Sequence, residues 1–297
     1  MGLEAEKAVN ALHEGEILLL ENLRFYAEEE ENTPEFAKKL ASLADIYVND
    51  AFSCSHRAHA SIVGVTKYLS AAAGRLMQEE LENLESILGN PQKPVSAIIG
   101  GSKISTKLEL LNTLISKVDI MVIGGAMANT FLKAQGHNIG KSLFEANMLA
   151  TATEILQAAK AKGCQIILPT DVVVAQSFKA HAENKILHID SVKDGLIIDV
   201  GPQSVAYAAA QIAKSKTCVW NGPLGAFEHA PFDVGTISLA RFVCALGIKT
   251  IAGGGDTVSA LSHAGLTQSF TYLSTAGGAF LEWLEGKSLP GVLALSN

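Results

Sequence analysis

The sequence has few cysteines and no long apolar run, and both shortages restrict the class of protein. Its cysteines, Cys54, Cys164, Cys218 and Cys244, lie far apart and form no CxxC pair. This spacing indicates a reducing compartment rather than a disulfide framework or a zinc knuckle. No apolar run approaches the roughly 20 residues that a membrane helix needs, and the acidic N-terminus lacks a signal-peptide core. We therefore expect a cytoplasmic protein with no membrane partner.

Positive charge is also scarce. The chain has 23 lysines and arginines against 30 aspartates and glutamates, which leaves a net charge of −7. This balance argues against a nucleic-acid partner, so any phosphate site must be local. Hydrophobic residues make up 48% and charged residues 18% of the 297 positions, as in a folded chain with one large core or two medium ones.

Several familiar chemical motifs do not occur. The chain has neither the GxGxxG fingerprint of dinucleotide binding nor the GxSxG elbow of hydrolases. The segment 136–142 resembles a P-loop, but it is one residue too short and follows a helical pattern, so we reject it. The spacing Cys54-x-His56-x-x-His59 lacks the second ligand pair that a metal site needs.

What the sequence does contain is an alternation of short apolar strands and helical patterns. The predicted strands are 17–20, 46–48, 95–99, 120–123, 165–168, 196–200, 217–220, 249–252 and 271–273. The predicted helices include 34–43, 75–88, 144–162 and 203–214, and the acidic run 28–31 is predicted to be a solvated loop. Strands that are apolar on both faces are typical of buried parallel sheets. The predicted fold is therefore α/β with a doubly wound parallel sheet.

The proline-rich segment at 90–94 predicts a domain boundary. Residues 1–74 would form a small α/β piece, and 75–90 a helix that connects it to the rest. Residues 91–276 would form a full α/β domain. Ligands of such sheets bind at the carboxyl ends of the strands, where the glycine pairs of this sequence collect.

The stretch Ile251–Thr257 is the most informative of these strand ends. Its three glycines allow a ligand to approach the backbone, and Thr257 is placed where a helix begins. The free N–H groups of a helix start attract phosphate, and Asp256 suits a phosphate that carries Mg²⁺. The same residues also describe a tight strand-to-helix turn with an acidic start, and alone they leave both interpretations open.

Two lysines follow another strand end. Lys103 and Lys107 come after Gly100 and Gly101, and positions four apart share one face of a helix. Two cations beside a helix start suit a polyphosphate. Without the strand and the glycines, they would be ordinary solvated lysines, one of which can pair with Glu109.

Three further residues have side chains suited to a nucleotide or an anion. Glu228 ends the rigid turn 220–228 and can accept hydrogen bonds from ribose hydroxyls. Arg24 and Arg57 each follow a predicted strand, and arginine forks bind phosphate or carboxylate. Each arginine taken alone is more often a surface ion-pair residue, and Glu228 can also be explained as an ordinary loop acid.

Taken in order, these stretches resemble the phosphoglycerate kinase family. The match runs from about Gly15 to the end of the chain. The segments that carry it are LENLRF at 20–25, NDAF at 49–52, HRAH at 56–59, GSK at 101–103 with Lys107, GAMA at 125–128, and the stretches 220–228, 253–257 and 274–279. So many motifs in the family's order leave little room for chance.

The resemblance implies reversible phosphoryl transfer between 1,3-bisphosphoglycerate with ADP and 3-phosphoglycerate with ATP, using Mg²⁺. The implied substrate-binding residues are Arg24 and Arg57. The implied catalytic residues are Lys103, Lys107, Gly255 and Gly278. The implied nucleotide-binding residues are Gly101, Lys107, Asn221, Pro223, Glu228, Gly254, Gly255, Asp256 and Thr257, with Asp256 acting through Mg²⁺. Residues 277–297 would be a catalytic-loop helix and a tail that returns to the first domain of a monomer.

The sequence departs from the family at its start. Met1 falls inside the family's N-terminal domain, so this domain is predicted to be truncated, without the opening strands and their substrate-binding residues. Binding of Mg·ADP or Mg·ATP with little or no transfer is therefore an alternative to full activity. A nucleotide-binding module without catalysis is one rival class, and a dehydrogenase on the same type of sheet, which the missing GxGxxG opposes, is another.

Overall fold

The structure is a computed structural model that describes residues 1–296, except for the side chain of Leu88. Asn297, the last residue of the predicted tail, lies outside the described residues. The chain divides into two compact units, unit 1 with Met1–Glu82 and Lys287–Asn297, and unit 2 with Asn83–Gly286.

The strands of the described residues are β1 (Ile46–Asn49), β2 (Ser70–Ala73), β3 (Val95–Ile99), β4 (Ile120–Ile123), β5 (Gln165–Ile167), β6 (Asp171–Ala175), β7 (Asn184–His188), β8 (Leu196–Val200), β9 (Thr217–Asn221), β10 (Lys249–Gly253) and β11 (Tyr272–Ser274). The helices are α1 (Leu3–Asn10), α2 (Ala27–Glu30), α3 (Pro34–Ala41), α4 (Arg75–Leu88), α5 (Leu108–Leu114), α6 (Gly125–Ala134), α7 (Leu149–Ala161), α8 (Pro202–Ile212), α9 (Val234–Ala245), α10 (Gly255–His263), α11 (Gly278–Leu284) and α12 (Pro290–Leu293). Within residues 1–296, no helix has the length and apolar character needed to cross a membrane.

Unit 1 contains a short parallel sheet in which β1 pairs with β2. The strand predicted at Ile17–Leu20 is wrong, because this segment is irregular in the structure. Its side chains are largely in solvent, with Ile17 95% and Leu19 93% exposed. An apolar run forms a strand only where another strand completes its backbone hydrogen bonds, and β1 and β2 pair only with each other among the described residues.

The acidic run of unit 1 was predicted to be a solvated loop, and this prediction is also wrong. Residues Ala27–Glu30 form α2, and Glu29 is only 2% exposed. The N–H of Ser61 donates to Glu29 Oε2 at 2.9 Å, and the Ser61 hydroxyl donates to Oε1. A buried carboxylate with these donors is satisfied, which is what allows one glutamate of the run to face inward.

Unit 2 is built on the predicted parallel sheet. Its strand order is β11-β10-β9-β3-β4-β5, and every neighbouring pair is parallel. β3, β4 and β9 are buried along their whole length, because helices cover both faces of the sheet. Trp220 and Leu239 are fully buried in the largest described cluster of the core. The predicted α/β class with a doubly wound parallel sheet is confirmed.

A second, antiparallel sheet in unit 2 has the order β7-β6-β8. The strand predicted at 196–200 exists, but its expected place in the parallel sheet is wrong, because it forms β8 here. β6 and β7 were not predicted. The β7 segment is mostly exposed and polar, so its composition gives little strand signal.

The chain passes between the units inside α4 and again after Gly286. The predicted boundaries at 74/75, 90/91 and 276/277 therefore differ from the observed division. One reason is that α4 is continuous over 75–88, as predicted, and its residues contribute to both units. Another is that α11 packs on α5 within unit 2, so only the tail from Lys287 belongs to unit 1.

Candidate functional site

The carboxyl ends of β3 and β9 lie side by side at the centre of the main sheet of unit 2. From β3 the chain continues through β4 and β5 on one side, and later through β9, β10 and β11 on the other. The order reverses between β3 and β9, and ligands of doubly wound sheets bind at such a reversal. Gly100 follows β3, and its N–H donates to the carbonyl of Asn221 at the end of β9, at 2.9 Å.

Lys107 occupies this reversal point. It stands immediately before α5, and its Nζ donates to Asn221 Oδ1 at 2.5 Å and to the Gly100 carbonyl at 2.6 Å. A third, longer bond of 3.3 Å reaches the Asn221 carbonyl. The three acceptors are uncharged, so none of them neutralises the protonated ammonium group, which can also bind an anionic ligand.

The surroundings of Lys107 lower its pKa. Burial lowers the pKa of Lys107 to about 8, while the negative charge of Asp256 opposes the fall. Asp256 is exposed in the first turn of α10, just after Gly253, and the Asn221 side chain that accepts a hydrogen bond from Lys107 also donates to Gly253. The structure thus brings together Lys107 and Asp256 from strand ends that are far apart in sequence.

Asn221 connects the end of β9 to the glycine turn after β10. It is 3% exposed, and its Nδ2 donates to the Gly253 carbonyl at 2.8 Å. Gly254 has a φ of 98°, and a Cβ at this position would lie 2.6 Å from Asn221 Nδ2. Only glycine meets both requirements, the left-handed backbone and the close approach.

Thr257 is buried in the first turn of α10. Its side chain is 2% exposed, and its Oγ1 accepts the N–H of Gly222 at 2.7 Å. The hydroxyl thereby holds the start of the 222–228 loop. α10 begins at Gly255, two residues earlier than predicted, and Gly255 has open space where a side chain would be, among the described atoms.

The 222–228 loop carries two of the predicted nucleotide residues. Pro223 is half-buried and Glu228 is exposed, so the carboxylate is open to a ligand. Between them, the N–H of Leu224 donates to Thr236 Oγ1 at 2.9 Å, and its carbonyl accepts the N–H of Gly125 at 2.8 Å. These bonds fix the loop against the starts of α9 and α6.

A buried acid beneath this loop was not predicted. Asp199, 2% exposed at the end of β8, accepts the N–H of Val200 and the N–H of Gly235, each at 2.8 Å. Burial raises the pKa of Asp199 to about 7; the two hydrogen bonds lower it, and the charge of Asp233 adds to the rise. Its position at the end of an apolar run was the only signal in the sequence.

The remaining predicted residues of unit 2 surround the same strand ends. Gly101 contacts the Lys107 side chain, with a notional Cβ 3.3 Å from Lys107 Cε, and Lys103 is exposed in the loop that follows. Gly278 is exposed at the start of α11. The first turn of that helix also places Phe280 against Gly253, 2.7 Å from the position a Cβ would take there.

Unit 1 brings the two predicted arginines to one turn. Both are exposed. Arg24 Nη2 donates to Cys54 Sγ at 3.8 Å, and the N–H of Arg57 donates to the Cys54 carbonyl at 3.0 Å. Arg57 Nε donates to His56 Nε2 at 3.2 Å. Their contacts to protein atoms are weak or neutral, so both guanidinium groups can take up an anion.

At the reversal point of the parallel sheet, the half-buried Lys107 ammonium is hydrogen-bonded to three neutral oxygens, and glycine turns lie on either side of it. Such an arrangement favours phosphate groups, and the fold and the site together define a phosphotransferase of the α/β class. The family model described as phosphoglycerate kinase matches residues 1–287. The chain belongs to the phosphoglycerate kinase family.

Individual relatives agree with this assignment. The curated phosphoglycerate kinases of Granulibacter bethesdensis and Xanthobacter flavus are each 56% identical over 300 residues, which cover 99% of this chain and 76% of each relative. The solved phosphoglycerate kinase of Coxiella burnetii has a TM-score of 0.90 at 48% identity, covering 93% of this chain and 71% of that one. The enzyme from Pyrococcus horikoshii has a TM-score of 0.86 at 29% identity, over 99% of this chain and 76% of that one. The chain is accordingly a kinase of two Rossmann-like α/β domains.

Proposed function

We propose that this chain catalyses the reversible transfer of a phosphoryl group between 1,3-bisphosphoglycerate with ADP and 3-phosphoglycerate with ATP. Family membership supports the reaction, and one observation supports its location. The Lys107 ammonium lies at the reversal point of the sheet with neutral partners and with Asp256 nearby. Phosphoryl transfer needs positioning and charge neutralisation more than covalent help, and this arrangement supplies both.

The nucleotide is proposed to bind along the strand ends of unit 2. Gly101 and Gly254 let its phosphates approach the backbone, while Asn221 and Thr257 hold the two turns in register. Pro223 shapes the loop that presents the exposed Glu228 to the ribose hydroxyls. These roles rest on the resemblance, on the hydrogen bonds of Asn221 and Thr257, and on the exposure of Glu228.

Mg²⁺ is proposed to enter with the nucleotide. This ion is usually held by one or two carboxylates together with substrate phosphates and water. Among the described residues, no group of three or more His, Cys, Asp or Glu side chains could hold a metal by itself. A single exposed carboxylate, Asp256, near the positive Lys107 fits an ion that arrives on phosphates. When bound, the ion supplies positive charge that offsets the charge of the phosphate oxygens.

Lys107 is proposed to contact the migrating phosphoryl group, with Lys103 beside it. The ammonium would exchange neutral acceptors for an anionic oxygen, and such charge-assisted bonds are roughly twice as strong. The gain is largest where negative charge develops, so the contact favours the transition state. Backbone N–H groups at Gly255 and Gly278, each in the first turn of a helix, would add donors to the same group.

Arg24 and Arg57 are proposed to hold the phosphate of phosphoglycerate. Both guanidinium groups are exposed and approach the same turn of unit 1. Arginine forks bind phosphate with paired hydrogen bonds, and two forks at one turn can share its oxygens.

A coupled assay on the purified chain tests the reaction. ATP and 3-phosphoglycerate with Mg²⁺ should give turnover that depends on both substrates, and calorimetry should show binding of Mg·ADP. Nucleotide binding without turnover would instead support the nucleotide-binding module, and saturable NAD binding would support a dehydrogenase. Two properties stay proposals: a cytoplasmic location, which agrees with the four free cysteines, and a monomeric state.

A further inference from the structure

One carboxylate from another part of unit 2 holds the loop that carries Lys103 and Lys107. The N–H of Ser105 donates to Glu145 Oε2 at 3.1 Å, and the Ser105 hydroxyl donates to Oε1 at 2.5 Å. The backbone of Ile104 also lowers the pKa of the same carboxylate. Ser105 and Glu145 are 40 positions apart, and the resemblance gave Glu145 no role.

Glu145 is itself anchored to a buried helix. Its N–H donates to Thr130 Oγ1 at 3.1 Å, and Thr130 is 0% exposed in α6. The first turn of the same helix meets the other end of the lysine loop, where the N–H of Met127 donates to the Gly101 carbonyl at 2.9 Å. α6 therefore fixes the loop at Gly101 directly and at Ser105 through Glu145.

The charge of Glu145 suits this role. Burial would raise the pKa of Glu145, but the hydrogen bonds from Ser105 and Ile104 and the charge of Lys103 together lower it. The side chain is therefore ionised at neutral pH. Hydrogen bonds from backbone N–H groups to a carboxylate are stronger than those to a neutral acceptor.

We propose that Glu145 is a positioning residue that fixes the 101–107 loop before the nucleotide arrives. It acts through Ile104 and Ser105, so that Lys103 and Lys107 need not be ordered when phosphates bind. Donors that are held in place beforehand cost less to organise on binding and at the moment of reaction. The inference rests on the proposed nucleotide role of the two lysines.

Three substitutions of Glu145 test this role. Glu145→Ala removes the acceptors, Glu145→Gln removes the charge, and Glu145→Asp keeps the charge on a shorter side chain. Glu154→Gln, which removes an exposed charge from the neighbouring α7, is the matched control. Each variant is examined for Mg·ADP affinity by calorimetry, for kinetic constants in the coupled assay, and for melting temperature.

Glu145→Ala removes hydrogen bonds between the loop and a charged group, so nucleotide binding must then supply the free energy that orders the loop. The loss of one such bond should weaken Mg·ADP binding about tenfold. It should also lower kcat and raise the KM for ATP, while the KM for 3-phosphoglycerate stays unchanged. Glu145→Asp should recover part of the loss, and Glu154→Gln should match the parent chain. Nucleotide binding by Glu145→Ala within twofold of the parent overturns the proposal, and so does tighter binding, which would show that the carboxylate competes with phosphate.

Amide hydrogen exchange separates this proposal from the proposed function. Exchange of peptides covering 101–107 should be faster in Glu145→Ala, and exchange of peptides covering β4 should be unchanged. This measurement needs no nucleotide, so it decides the positioning role even if the chain fails to bind ADP. Unchanged exchange over 101–107 overturns the proposal, whereas transfer that is insensitive to Lys107→Ala overturns only the proposed function.

Discussion

Nζ of Lys107 lies 2.5 Å from Oδ1 of Asn221, although the two residues stand 114 positions apart in the chain. The bond joins the end of β9 to the start of α5 at the reversal point of the sheet. Asn221 uses its other side-chain atom, Nδ2, for the Gly253 carbonyl. One amide thus fixes the position of the lysine relative to the turn that carries Asp256, which makes Lys107 the first target for mutagenesis.

Lys107→Ala should lower kcat by about 10²–10³, the range measured when one donor to a developing negative charge is removed. The affinity for Mg·ADP should fall much less, because the lysine strengthens its contact in the transition state. Lys160→Ala, which removes an exposed lysine from α7, is the control and should have no effect on either quantity. Measuring kcat and the calorimetric Mg·ADP affinity of both variants shows which of the two quantities depends more on Lys107. A loss of affinity as large as the loss of rate would assign Lys107 to ground-state binding.

Nucleotide binding should be accompanied by proton uptake near pH 8. The pKa of Lys107 is about 8 in the free protein, so about half of the molecules lack this proton at that pH. A bound phosphate raises the pKa of the lysine, and the protein then takes up as much as about half a proton per site. Calorimetry of Mg·ATP binding, which brings the transferable phosphoryl group to Lys107, measures this number in two buffers with different ionisation enthalpies. Lys107→Arg, which stays protonated, should abolish the uptake, and an unchanged uptake in that variant would place the proton elsewhere.

How much of this molecule the sequence predicts depends on the range of the interactions. The alternation of strands and helices, the parallel sheet and the glycine turns follow from local patterns, and those predictions are confirmed. The Ile17–Leu20 strand is wrong because a strand also needs a partner, which periodicity does not reveal. Glu29 gave no sign of being buried, because the donors of Ser61 lie 32 positions away in sequence.

The same limit applies to the site. Lys107 and Asp256 stand beside glycine turns and could be selected from the sequence, although their roles remain proposals. Asp199 and Glu145 could not be selected from the sequence, because the role of each depends on hydrogen bonds from backbone N–H groups of other segments. The resemblance assigns Thr257 to the nucleotide site, but the bond between its hydroxyl and the N–H of Gly222 could not be predicted from the sequence. Residues that support the site through contacts with distant segments thus cannot be recognised from the local sequence.

Asp199 should make the stability of the chain decrease as the pH rises from about 4 to 7. The folded pKa of Asp199 is about 7, above its ordinary value of 3.8, so the folded state holds a proton that the unfolded state has lost. The contribution of this proton to the free energy of unfolding is lost as the pH rises through 7. Asp199→Asn cannot ionise, so its stability should depend less on pH than that of the parent chain. Its amide NH₂ would face one of the two backbone N–H donors, so the variant should be less stable than the parent at low pH. Urea unfolding of both proteins at several pH values measures the two slopes, and parallel slopes would contradict the raised pKa.

The arginine pair should affect one substrate only. Arg24→Lys and Arg57→Lys keep the positive charge but lose the paired hydrogen bonds of the guanidinium group, so each should raise the KM for 3-phosphoglycerate about tenfold. Mg·ADP affinity should stay unchanged. Arg241→Lys, in α9 of unit 2, serves as the control. Steady-state kinetics with each substrate varied in turn give the constants. An equal rise in the KM for ATP would contradict the assignment of these arginines to phosphoglycerate.

Gly254 and Gly265 lie at opposite ends of α10 and allow backbone strain to be separated from damage to the site. Both have left-handed backbones, with φ of 98° and 69°, so an alanine at either position should cost about 1–2 kcal/mol of stability. A Cβ on Gly254 would also press on Asn221 Nδ2 at 2.6 Å, whereas one on Gly265 would meet open space among the described atoms. Gly254→Ala should therefore displace Asn221, disturb Lys107 and weaken Mg·ADP binding at least tenfold, while Gly265→Ala should destabilise the chain to a similar degree and bind nucleotide normally. Thermal unfolding and calorimetry of the two variants provide the comparison. Equal nucleotide affinity in both would show that the site tolerates a side chain at Gly254, and the nucleotide phosphates would then have to bind away from this turn.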